Sequence, residues 1–230
     1  MKLRAILKTK DYISILLLVS VFQFTNACKK ESAQKGTLFY TEYAPHSVGE
    51  WRVYKVREIE HTTTGVHDTI EYYLKEVIAE EIDETNFRLE RYWRDSLHQP
   101  WEIKDVWVVE KTQTMYNVVE ENIKFTKLIF PIENAKQWNG NAFNNLGEQD
   151  YSFEEIHVPS SINSIDFDST VTVLQQDEFN AIELKKAKEV YANHVGLIYR
   201  SKIDLSINTF DVTDINQGTE LEYKILSYGN

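Results

Sequence analysis

Histidines and carboxylates are the residues of this chain able to hold a metal or move a proton. The six histidines are His46, His61, His67, His98, His157 and His194. No two stand four apart on a plausible helix, and neither His-x-Glu nor His-Glu-x-x-His occurs. The spacings that build a zinc site on one helix are therefore missing. His61 and His67 flank a turn containing Gly65 and could face each other across a hairpin. A metal there would need a third ligand, for which Asp68 and Glu60 are the candidates. Exposed turn histidines are the simpler reading, and the expectation is no metal and no cofactor.

The acids are too many to be informative by themselves. Glu154 with Glu155, and Asp166 with Asp168, border apolar stretches and could be imagined as a pair for glycoside hydrolysis. Charge runs of this kind are usually solvated faces. No Gly-x-Ser-x-Gly elbow and no glycine-rich phosphate loop is present. The expectation is a protein that is not an enzyme. That leaves the aromatics. Trp51 and Trp93 stand inside alternating stretches and read as core. Trp101 follows Pro100 in a turn, and Trp138 precedes an Asn-Gly loop. These two are the candidate exposed aromatics, able to line a pocket rim or stack on a sugar ring.

One cysteine, Cys28, stands behind an apolar run. Lys2, Arg4, Lys8 and Lys10 precede the stretch Ile13 to Phe24, which is apolar apart from Ser and Gln. Basic flank, short apolar core and small Ala27 describe an export signal. The run is shorter than the roughly 20 residues a spanning helix needs. The box Phe24-Thr25-Asn26-Ala27-Cys28 resembles the lipobox of bacterial lipoproteins, with Thr25 where Leu is usual. The resemblance implies cleavage after Ala27, a diacylglyceryl group on the Cys28 thiol, and a membrane held through that anchor. Each buried methylene is worth about 0.8 kcal/mol, so two or three acyl chains hold nearly permanently. The thioether also removes what would be an exposed free thiol.

Three segments follow: a signal peptide at 1–27, the lipidated cysteine and a polar tether at 28–36, and one domain at 37–230. With Cys28 committed, no disulfide, thiolate metal site or cysteine nucleophile remains. The whole chain carries −11, and its leader carries three net positive charges, so the mature chain is −14. That acidity argues against nucleic acid as a partner.

"YAPHSVGEWRVYKV", Tyr43 to Val56, resembles the start of the mature domain in Bacteroidota-type cell-envelope lipoproteins. Tyr43, Pro45, Gly49 and Tyr54 fit; Trp51 stands one residue early and His46 replaces a usual Leu. "VGLIYR", 195 to 200, is similar to curved-sheet lipoproteins that carry or sense lipid. The resemblance implies an envelope location, with the outer membrane expected, and a half-barrel. The triplets at 68–70, 95–97 and 168–170 resemble the short O-glycosylation signal of the same group.

Period-two alternation dominates the chain. Phe87, Leu89, Arg91 and Trp93 oppose Arg88, Glu90, Tyr92 and Arg94; Ile123, Phe125, Lys127 and Ile129 share one side. About ten such stretches, with few prolines and glycines between them, predict a mainly β fold. Its antiparallel meander would form a curved sheet, half-barrel or open barrel, with at most one or two short helices. Residues 182–194 fit helix and strand about equally, with strand favoured by the neighbours. Residues 137–153, rich in Asn and Gly, read as an ordered loop over a mouth or edge. The expected role is a binding, carrier or scaffolding module, for an apolar ligand on the concave face or, alternatively, a glycan. Lipid, glycan and envelope protein are the candidate partners.

Overall fold

The computed structural model describes residues 39–44 and 46–230. Residues 1–38 and Pro45 lie outside the described residues, and with them the expected signal peptide, Cys28 and the expected tether. Twelve strands make one antiparallel sheet: β1 (Trp51–His61), β2 (His67–Glu81), β3 (Asn86–Arg94), β4 (Glu102–Lys111), β5 (Met115–Glu120), β6 (Ile123–Ile129), β7 (Gln137–Asn139), β8 (Asp150–Ile162), β9 (Ile165–Phe179), β10 (Glu183–Ala192), β11 (Gly196–Asn208) and β12 (Asp211–Gly229). Each strand pairs with the next in sequence except β6 with β7, and β12 closes back on β1. The result is a meander curled into a nearly closed barrel with one seam. Residues 183–192 are strand, held on both sides by β9 and β11.

Alternation builds the barrel wall. Tyr54 and Val56 of β1, Tyr72 and Leu74 of β2, and Tyr223 and Ile225 of β12 bury one face, while Lys55, Arg57 and Lys224 lie on the other. A second cluster gathers Ile78, Phe87, Leu89, Trp107, Tyr116, Leu128, Phe153 and Tyr191 with Tyr43 of a short 3-10 turn, Thr41–Tyr43. Burial at about 25 cal/mol per Å² of apolar surface makes these clusters the main source of stability.

Tight hairpins set the register. Glu121–Asn122, Asn163–Ser164 and Thr209–Phe210 are two-residue turns with both central φ angles positive. That is the type I′ geometry, whose twist matches the strands it joins. In β8, Glu155 and His157 are also left-handed, and the pairing with β9 loses register between Glu154 and Val158. This bulge brings the His157 Nδ1 to 2.7 Å from the Tyr43 hydroxyl, which lies 2.6 Å from Ser169 Oγ.

The seam is stitched by the Asn-rich loop, which lies over the sheet edge. Thr126 donates its N–H to the Gly140 carbonyl at 2.9 Å, and Asn144 Nδ2 donates to the Lys124 carbonyl at 2.8 Å. Gly140 is required there, because a Cβ would run into the buried Tyr151 ring.

Candidate functional site

One candidate place is the barrel interior, where eight charged side chains sit among the aromatics. Arg91, 2% exposed, donates to Glu76 at 3.1 Å, to both Asp105 oxygens at 3.0 Å and to the Tyr223 hydroxyl at 3.2 Å. Its guanidinium lies 3.5 Å from the centroid of Trp107, a close cation–π stack. Across the barrel, Lys127 and Arg200 share Glu120 and Glu189 at 2.6–3.2 Å, and Tyr191 donates to Glu189 at 2.6 Å. Burial by itself would raise the Glu120 carboxyl, but Arg200 and Lys127 outweigh it and hold it at about 2. Glu189 is lowered in the same way, by Lys127 and then Arg200 working against burial. Paired and hydrogen-bonded ions are the form in which buried charge is tolerated.

Arg52 completes the set differently. It is 4% exposed and donates Nη1 to the Val195 carbonyl at 3.1 Å, while its Nε has no protein acceptor. It lines a cavity of about 30 Å³ together with Glu76, Trp107, Tyr116, Glu120 and Arg200. That is room for a water or two. An acyl chain does not fit this cavity, and its charged lining would not welcome one.

The second place is the group of hairpin tips around β9–β10 and β11–β12. The Ile207 and Phe210 N–H groups donate to the carbonyls of Ile182 and Ala181, at 2.9 and 3.0 Å, and tie the two tips together. Phe179 and Phe210 meet edge to face at 5.8 Å. Phe179, Ile182, Phe210 and Val212 are 52%, 64%, 59% and 47% exposed. Beside them runs an open polar groove of about 450 Å³ lined by Glu60, His61, Glu183, Lys185, Asp204 and Gln217, among others. Phe210 stands in a left-handed turn position (φ 64°) that favours Gly or Asn. Backbone preference and burial both argue against a phenylalanine at this point, so its exposed ring is the feature to be explained.

The residues singled out from sequence fall in separate places. Trp138 is half-buried at the seam: its indole N–H donates to the Thr126 carbonyl at 2.9 Å, and its ring tilts on Phe153 at 4.6 Å. Trp101 is half-buried at the start of β4, with the Arg94 guanidinium 4.1 Å from its ring. Their rings make no pair with each other. Glu154, Glu155, Asp166 and Asp168 are exposed. Of the glycosylation-like triplets, Thr69 is exposed, while Ser169 bonds Tyr43.

His61 and His67 do face each other across the β1–β2 hairpin. Asp68 and Glu60 pair with each other one step along, on the opposite side of the strands, so neither supplies a third ligand. Glu220 of β12 reaches His61 instead, at 2.8 Å from Nε2. Neither the interior ions nor the tips follow from local alternation. Arg91 and Lys127 on otherwise apolar faces were the available signal for the first; for the second it was a phenylalanine inside a turn.

No protein-family model matches the chain, and no curated protein matches it. Two solved structures are similar to it. One is a predicted lipoprotein from Parabacteroides distasonis, 10% identical, the match covering 80% of this chain and 98% of that one with a TM-score of 0.37. The other is a predicted exported protein with a YmcC-like fold from Bacteroides fragilis, 9% identical, covering 83% and 100%, also with a TM-score of 0.37.

Proposed function

We propose that this is an exported, lipid-anchored cell-envelope protein whose barrel is a non-enzymatic binding or scaffolding module, working through its β9–β10 and β11–β12 tips. The carrying observation is the exposed Phe179–Phe210 pair, set on a strained turn beside the acidic groove. Export and anchoring rest on the leader and Cys28. A carrier of apolar ligands would need open interior space, whereas the interior here is filled by aromatic and ionic side chains. A glycan platform would need a free aromatic face; Arg94 covers one face of Trp101, and Trp138 is committed to the seam.

The partner that fits is a protein segment with apolar side chains flanked by Lys or Arg. Glu178, Glu183, Asp204, Asp211 and Asp214 surround the tips, with Lys185 engaged by Glu183 at 2.8 Å. This rim and the net charge of −11 disfavour an anionic lipid surface. A photo-crosslinking residue at position 210 of the full chain, used in cells, tests it. The expected result is a discrete protein adduct whose mapped segment is apolar and basic, absent from position 57 and lost with Phe179→Ser. An adduct with lipid alone, or equal labelling at both positions, overturns the reading. Anchoring is tested separately by labelled palmitate, which Cys28→Ser should abolish.

A further inference from the structure

The β1–β2 hairpin carries a feature that tip docking does not use. His61 Nδ1 and His67 Nδ1 stand 2.7 Å apart, with the rings 4.8 Å apart and nearly perpendicular. Glu220 accepts from His61 Nε2 on the other side of that ring. This bond places the His61 proton on Nε2 and leaves the Nδ1 lone pair aimed at His67. His61 is 8% exposed, so its ring is held in place, whereas His67 is exposed. An imidazole oriented by a carboxylate on its outer nitrogen, with its inner nitrogen converging on a second imidazole, is the arrangement metal-binding histidines use.

We propose that His61 and His67 form a two-nitrogen chelate for a divalent transition metal, Cu(II) above Zn(II). Geometry makes the choice. With metal–nitrogen bonds of about 2.0 Å, two nitrogens stand about 2.8 Å apart at a right angle and about 3.3 Å apart at the tetrahedral angle. The observed 2.7 Å needs only a small opening to reach the first and a larger one to reach the second. Square-planar nitrogen and oxygen sites suit Cu(II), which also tops the affinity order of the divalent series. No third His, Cys, Asp or Glu joins the pair among the described residues, so the third protein ligand that a zinc site takes is missing and water fills the remaining positions. On binding, the proton of His67 Nδ1 passes through solvent to its own Nε2, and neither ring changes charge.

The test is a titration of the full chain, extracted in detergent, with Cu(II) alone, read by calorimetry and electron paramagnetic resonance. One tightly bound Cu(II) per chain with two imidazole nitrogens in its spectrum is expected, and Zn(II) should bind more weakly. His67→Ala, at an exposed position that the fold does not need, should lower the affinity at least a hundredfold. Glu220→Ala should lower it about tenfold while keeping the two-nitrogen spectrum, because Glu220 positions His61 without touching the metal. His98→Ala, in the β3–β4 turn, should change nothing. If His67→Ala binds Cu(II) as the parent does, or if His98→Ala costs as much, the pair is a hydrogen bond and no more.

Discussion

The barrel interior and the hairpin tips exchange their expected polarities. The interior holds eight charged side chains, Arg52, Glu76, Arg91, Asp105, Glu120, Lys127, Glu189 and Arg200, four of each sign. The tips hold Phe179, Ile182, Phe210 and Val212 in water. The difference lies in how each departure is compensated. Inside, each carboxylate meets a cation within 3.2 Å, and of the four cations Arg52 alone has no carboxylate partner, donating to the Val195 carbonyl instead. At the tips, nothing in the described residues settles the apolar surface. Compensated polarity inside serves the fold, and uncompensated apolarity outside points to a partner.

Unbalancing the interior ions should cost more stability than any other single change. Glu189→Ala would leave Lys127 and Arg200 with Glu120 alone, in a site where Glu189 is 1% exposed. Removing one member of a buried ion set costs about 3–5 kcal/mol, and urea unfolding of the variant measures it. Acid tests the same network without mutation. The ordinary carboxyl value is 4.5 and the folded Glu120 value about 2, so its stabilisation is complete above the first. It is lost as pH falls from about 4.5 toward about 2, since the unfolded chain then binds the proton more readily. Glu189 shifts in the same direction and adds to the slope. A denaturant midpoint that stayed flat across that window would mean the two carboxylates are not held by their cations.

A smaller effect is expected at the seam. Gly140→Ala puts a methyl group against the Tyr151 ring and pushes the Gly140 carbonyl away from the Thr126 N–H. Overpacking of this kind costs about 1–3 kcal/mol. Hydrogen exchange should show β6 and β7 opening while β1 and β12 keep their protection.

How much of this was legible follows from the range of the interactions. The alternation of Phe87, Leu89, Arg91 and Trp93 is local, and it specified strands, faces and a meander. It did not specify closure, because β1 meets β12 only after the whole chain has turned once around. Lys127 on an apolar face was visible as a breach of pattern. Its partner Glu189 lies 62 residues away, and Arg200 meets Glu120 across 80, so sequence spacing carries no trace of either pair. Residues 183–192 stayed balanced between helix and strand because Lys185, Lys186 and Lys188 suit both. The hydrogen bonds from β9 and β11 decide it. His61 facing His67 was legible because a hairpin is local; Glu220 at His61 was not, being 159 residues distant.

At a single turn, stability and binding should separate. The turns at Glu121–Asn122, Asn163–Ser164 and Thr209–Phe210 share one backbone geometry. Two of them place an Asn, which tolerates it; the third places a β-branched residue and an aromatic. A left-handed conformation costs an ordinary residue about 1–2 kcal/mol, a cost glycine avoids. Phe210 is 59% exposed, so replacing it forfeits little burial. Phe210→Gly should therefore leave the domain equally stable or raise it by up to about 1 kcal/mol in thermal or urea unfolding. The same variant should lose the protein adduct at the tips, read from a crosslinker moved to position 212. Gain in stability with loss of contact would show that the ring is kept for what it touches. A loss of 2 kcal/mol or more would instead make Phe210 part of the fold, and the tips would no longer differ in kind from the interior.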